Sequence, residues 1–248
     1  ALERKKAVLS ELNKDNKAFV KSYFSKFDDS YFNKNATDSL IWQSRLIIQN
    51  KDNDLIVACK NRFGNLLEIF IKVKNSKGLF LKLAKTLEKS GLEIIDANIF
   101  SSNDEKLASN TFIAKFSHHD RSFSQNELKE LSSRIIKNFK SFGESSSTYN
   151  NGKKKLKFQN KTSITNSLNS EKGRNLITIE TSDRPGLLSD IAKVFYENNL
   201  SIFSARINTL GDKVEDTFEL ENYNKKIISN NKMKKIIESL KKVVWRNC

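Results

Sequence analysis

The spacing of apolar and polar positions divides this chain into stretches of helical and of strand period. Apolar residues at Leu2, Val8, Leu9, Leu12, Phe19, Val20, Phe24 and Phe27 predict one or two amphipathic helices over 1–27. Leu40, Ile41, Trp42, Leu46 and Ile47 predict another over 38–49. The period then shortens to two over 54–60 and 66–73, two strands joined by Arg62-Phe63-Gly64-Asn65. Leu79, Leu83, Ala84 and Leu87 share one face of a helix over 79–89, and Gly91 follows where helices often stop in a left-handed residue. Strands over 92–101 and 109–116 come next, and Ser124 can cap a helix over 125–142.

Residues 143–173 are rich in Ser, Asn and Lys and read as a linker, within which Leu156-Lys157-Phe158 and Ser163-Ile164-Thr165 alternate weakly. Beyond it the order strand, helix, strand, strand, helix returns over 176–181, 186–198, 200–209, 213–220 and 230–244. A shift of 108 residues superimposes Gly78 on Gly186, Ala84 on Ala192, Leu92 on Leu200, Ala97 on Ala205 and Ile99 on Ile207. Such a repeat predicts two copies of one supersecondary unit. Each copy supplies five of the six elements of a ferredoxin-like βαββαβ unit, so the expected class is α+β with a helical lead-in. Four residues after the last helix leave no room for a final strand in the second copy. A strand donated by the linker is the expected replacement.

Composition adds two constraints. Cys59 and Cys248 are too far apart in sequence for a disulfide framework or a metal pattern, which is compatible with a reducing cytoplasm. No apolar run approaches membrane-spanning length and the amino end lacks a signal-peptide core, so a cytoplasmic protein without membrane contact is expected. The formal charge of +15 raises a nucleic-acid reading. Its lysines are dispersed, however, and the densest cluster, Lys153-Lys154-Lys155 with Lys157, lies in the linker. A solvated basic surface is favoured over a phosphate-binding face.

The chemistry concentrates at Asp183-Arg184-Pro185-Gly186-Leu187-Leu188. Pro185 disfavours helix at Arg184 and suits the first helical position, so the helix is expected to begin with Gly186 and Leu187. Their amide N–H groups lack intrahelical partners and, with the helix dipole, suit a small carboxylate. Asp183 offers the opposite charge for an ammonium group, and Asn208 on the adjacent strand offers a side-chain amide. A carboxylate beside an ammonium outlines a free amino acid. The first copy has Asn75, Gly78 and Leu79 at the matching turn, with Lys77 in place of the proline, and is the weaker candidate.

The strand-to-helix turn, in both copies, resembles that of the ACT domain, a ferredoxin-like regulatory module that commonly binds amino acids there. With Ile94-Ile95-Asp96-Ala97-Asn98-Ile99-Phe100, Phe203 to Gly211 and the helical lead-in, the chain also resembles the carboxy-terminal region of bifunctional uridylyltransferase/uridylyl-removing enzymes of the PII protein. That resemblance implies glutamine as ligand, PII as a partner through the full-length enzyme, and upstream catalytic domains that would use Mg. It divides the chain into a connector from a missing HD-type domain over 1–60, a first ACT domain over 61–142, the linker over 143–173 and a second ACT domain over 174–248. The chain, which begins inside a charged helical pattern, then reads as a fragment.

No catalytic or metal-binding set is expected in the chain itself, and no cofactor. His119-Asp120 spells an HD dipeptide, but His118 is its sole companion histidine, and metal hydrolysis needs several converging ligands. An RNA-binding βαββαβ module is the alternative and would need exposed aromatics on its central strands. Phe112 and Phe218 stand at those positions without the accompanying glycines, and read better as core. A dimerisation module pairing exposed sheet edges is the third option.

Overall fold

The computed structural model describes residues 1–116, 121–143, 162–169, 173–224 and 226–245. The His118-His119-Asp120 run, the 153–157 lysine cluster with Leu156-Lys157-Phe158, and Cys248 lie outside these residues.

Four helices lead in: α1 (Leu2–Ser10), α2 (Lys14–Phe24), α3 (Asp29–Lys34) and α4 (Thr37–Gln49). Side-chain caps at Asn13 and Asp28 start α2 and α3 by accepting a backbone N–H, which satisfies donors the helix cannot use itself. The first unit follows as β1 (Ile56–Asn61), β2 (Leu67–Lys74), α5 (Leu79–Lys89), β3 (Glu93–Ser101), β4 (Leu107–Lys115) and α6 (Gln125–Lys140). The second consists of β5 (Ser163–Asn169), β6 (Arg174–Ser182), α7 (Leu187–Glu197), β7 (Leu200–Leu210), β8 (Lys213–Asn222) and α8 (Asn230–Val244). Ser124 and Glu127 form a reciprocal capping box on α6, as the Ser124 expectation required. The short helix α3 was not expected, its six residues being too few to show a period.

All eight strands form one antiparallel sheet in the order β1-β2-β4-β3-β7-β8-β6-β5. Each unit is therefore ferredoxin-like with its sixth element moved: the strand beside the first comes from in front of the unit. For the second unit this is the strand the linker was expected to donate, running from Ser163 and paired with β6. For the first it is β1, whose residues 56–61 straddle the 60/61 boundary drawn from sequence.

One apolar core runs under both units on the α5–α8 face, where Phe112 and Phe218 are fully buried. Phe80 of α5 meets Phe218 edge-on at a ring separation of 6.1 Å, so the units share this core. A second core lies on the opposite face of the first unit, where α1–α4 cover Phe70 and Phe100. There Tyr31 Oη donates to Gln43 Oε1 at 2.8 Å, and Gln43 Nε2 donates to Thr111 Oγ1 at 2.9 Å. This buried chain ties the helical layer to β4. Among the described residues no helix is long and apolar enough to cross a membrane.

Candidate ligand-binding site

In each unit the first strand passes to the first helix through a left-handed glycine, at φ 74° for Gly78 and 77° for Gly186. Backbone of this hand costs a residue with a Cβ about 1–2 kcal/mol, and glycine nothing comparable. Both glycines are the N-cap, so α7 begins at Leu187. Pro185 thus sits second in the turn closed by Leu187 N–H on Arg184 O and does not open the helix; the start expected at Gly186 moves by one residue because Gly186, third in that turn, is left-handed. The amides expected to be open are partly engaged: Leu79 N–H donates to Ser76 O at 3.1 Å and Leu187 N–H to Arg184 O at 3.2 Å.

The two turns are related by the register of the central strands. β3 pairs with β7, and Asn98 lies opposite Arg206, its own counterpart in the repeat. A local two-fold axis therefore passes between them. β-bulges at Ile94/Asp96 and Ile202/Ser204 fall at matching positions on either side. Edge pairing of the units, expected as a possible contact between chains, occurs here within one chain. Each turn consequently faces the other unit.

At the first turn a cavity of about 30 Å³ opens between the units. Its polar lining includes Asn75, Ser101 and Asn110 from the first unit, and Tyr196 and Tyr223 stand over it from the second. Gly78 N–H donates to Tyr223 Oη at 3.2 Å. Lys77, which sequence comparison of the two turns treats as a lost proline, has a place in the structure. Its ammonium donates to Asn199 Oδ1 at 2.7 Å and sits 4.8 Å from the Tyr223 ring centre. Asn75 Nδ2 reaches Ser101 Oγ at 3.3 Å.

The second turn faces an acidic surrounding instead. Asp216 is buried at 1% exposure, and burial pushes its carboxyl up to about 8, with the nearby Asp183 and Asp96 charges adding to the rise. Asn208 N–H donates to Asp216 Oδ1 at 3.2 Å, so Asn208 serves this cluster through its backbone. Burial, then Glu93, raises Asp183 as well. Arg184 turns away from the opening: Nη2 bonds Asp190 Oδ2 at 2.6 Å and Val243 O at 3.0 Å. Leu187 is buried and Leu188 packs against the same core. Among the described residues no group of three or more His, Cys, Asp or Glu is placed to hold a metal ion.

The structure places Asp183 and Asn208 around Asp216, which sequence reasoning did not single out, and Asn208 reaches it through its backbone N–H and not through the side-chain amide that was expected. Sequence reasoning also missed Asn110, Tyr196 and Tyr223. A signal was present for Asp216, which occupies a buried position of the alternating strand β8, where a polar residue breaks the pattern; β4 is buried on both faces over 108–112, so Asn110 interrupts no alternation.

Residues 175–224 match the ACT domain family. A bifunctional uridylyltransferase/uridylyl-removing enzyme of Psychrobacter arcticus is 25% identical over 96% of this chain, and that of Burkholderia mallei 27% identical over 81%. The chain spans 28% and 24% of those two relatives, about a quarter of their length. Among solved structures, an aspartate kinase from Synechocystis superposes with a TM-score of 0.39 at 14% identity, covering 73% of this chain and 27% of that one. With its ferredoxin-like fold and its relatives in view, the chain carries an ACT domain at 175–224 and is a relative of one segment of the bifunctional uridylyltransferase/uridylyl-removing enzymes.

Proposed function

We propose that this chain is the glutamine-sensing regulatory segment of an enzyme that modifies the PII protein, with both repeat units acting as ACT domains. The observation that carries this reading is an ACT domain inside a chain similar over 81–96% of its length to uridylyltransferase/uridylyl-removing enzymes. Two glycine-capped turns placed across a local two-fold support it, because each presents a helix start to the other unit. A ligand held between units can favour one packing of the pair over another, which regulation requires.

Among the described residues a cavity opens at the first turn, and this supports seating the ligand there. Its amino-acid backbone would take the Gly78 amide now occupied by the Tyr223 hydroxyl. A cavity of about 30 Å³ holds about one or two waters, so entry requires Tyr196, which is 43% exposed, and Tyr223 to swing outward. Isothermal titration of the 248-residue chain with glutamine tests the reading. Binding that survives Asp183→Ala supports the first turn; binding lost in Asp183→Ala returns the site to the second. No heat from the intact chain removes the sensor role for this segment.

A further inference from the structure

Asn110 is fully buried on the central strand β4, facing the helices. Its structural counterpart is Asp216: Asn110 lies opposite Ile71 as Asp216 lies opposite Ile179, its repeat equivalent, and Phe112 matches Phe218. Both units thus bury a polar side chain at this position, an uncharged amide in the first and a carboxyl in the second. Asn110 Nδ2 donates to Ile71 O at 3.2 Å, which fixes the amide's orientation, since the flipped group would set oxygen against oxygen. The other end, Oδ1, has no hydrogen-bond partner among the described residues, and Asn110 lines the cavity at the first turn. A buried acceptor left unpaired is costly, and native cores rarely keep one without a purpose.

We infer that Asn110 is the specificity-determining residue of this cavity and that its Oδ1 accepts an N–H from the terminal primary amide of the ligand. The proposal rests on the amino-acid reading of the first turn and goes further by naming the part of the ligand that is read. Among the described residues no charged side chain lines the cavity, whose polar groups are those of Asn, Ser and Tyr, and the nearby Lys77 ammonium is held by Asn199. A neutral carboxamide enters such a place at little desolvation cost, whereas a carboxylate loses its hydration and meets the Asn110 oxygen with no hydrogen to offer. Sites built to hydrogen-bond one polar group discriminate strongly against analogues that lack it.

The test compares glutamine, glutamate and 2-amino-5-oxohexanoate, the methyl ketone analogue of glutamine, as ligands of the intact chain by titration calorimetry. The ketone keeps the carbonyl and carries CH3 in place of NH2, so it has the amide's heavy-atom count but no N–H. Glutamine is expected to bind at least tenfold more tightly than either analogue. In Asn110→Leu the glutamine-to-ketone ratio is expected to fall to within about twofold, a change that a purely structural role for Asn110 would not produce. The ligand series needs no variant, so it stands even if Asn110→Leu folds poorly. Equal affinity of the intact chain for glutamine and the ketone, or an unchanged ratio in Asn110→Leu, overturns the assignment while leaving amino-acid sensing intact. Failure of the intact chain to bind any of the three overturns both.

Discussion

Gly78 lies directly under the Tyr196 ring: a Cβ added to the glycine would stand 2.8 Å from Tyr196 Cδ2. The two residues belong to different units, so this contact reports how closely the repeats are pressed together at the first turn. Gly78→Ala is expected to combine backbone strain with displacement of the ring, lowering stability by about 1–3 kcal/mol. Gly64→Ala is the control, since Gly64 has a similar φ of +69° and nothing within 4 Å of an added Cβ. Denaturant unfolding of both variants should show the larger loss for Gly78→Ala; equal losses would mean that Tyr196 moves aside freely.

Asp216 sets a pH dependence whose sign is fixed. Its carboxyl titrates near about 8 in the folded chain against 3.8 in the reference state. Below about pH 4 both states hold the proton and nothing is lost. As pH rises towards 8 the unfolded chain releases its proton while the folded chain retains it, so stability falls across that window. Asp183 and Asp96, raised in the same direction, steepen the fall. Asp216→Asn, which keeps an oxygen for the Asn208 amide, should be more stable than the parent at pH 8 and lose much of the slope. Melting curves taken between pH 5 and 8 decide it.

Gln43 joins α4 to β4 through Tyr31 and Thr111. Gln43→Leu takes one buried partner from the Thr111 hydroxyl and one from the Tyr31 hydroxyl, leaving Thr111 with Asn35 and Tyr31 with Ser109. A loss of about 1–3 kcal/mol is expected, with the helical layer becoming the first part cut in limited proteolysis. Cleavage starting instead within the sheet would contradict this attachment.

Cys59 is half-buried on the edge strand, and burial pushes its thiol up to about 11. Since the thiolate is the reacting form, Cys59 should alkylate slowly at pH 8 in a Cys248→Ser chain. Iodoacetamide labelling followed by mass spectrometry gives the rate, which should rise sharply in denaturant.

Much of the fold was legible because both periods are clean. Leu79, Leu83 and Leu87 in α5 and the alternation of β8 leave little choice of element, and the 108-residue repeat supplied the topology. The strand from Ser163 was foreshadowed by the weak alternation of Ser163-Ile164-Thr165 within the linker. The site was less legible. Asp183-Arg184-Pro185-Gly186 is the stronger local signal, yet the cavity formed at the other turn, because its walls come from Tyr196 and Tyr223 a hundred or more residues away. Those contacts depend on the β3–β7 register, which no local pattern encodes. Arg184 was read by its position next to Pro185, whereas its partners Asp190 and Val243 are set by helix packing.

The origin of the edge strands bears on how this chain reaches its native state. In an ordinary βαββαβ unit the strand beside the first is the last to be made, so their pairing closes a loop nearly as long as the unit. Here β1 and β5 each form a hairpin with the strand that follows, β2 or β6, and pairing begins across a few residues. Replacing a distant closure with a nearby one lowers the entropy lost before contacts are rewarded and favours fast folding. On a ribosome, the first unit could complete its sheet before the second had emerged, and the edge left by β3 would wait for β7 to claim it.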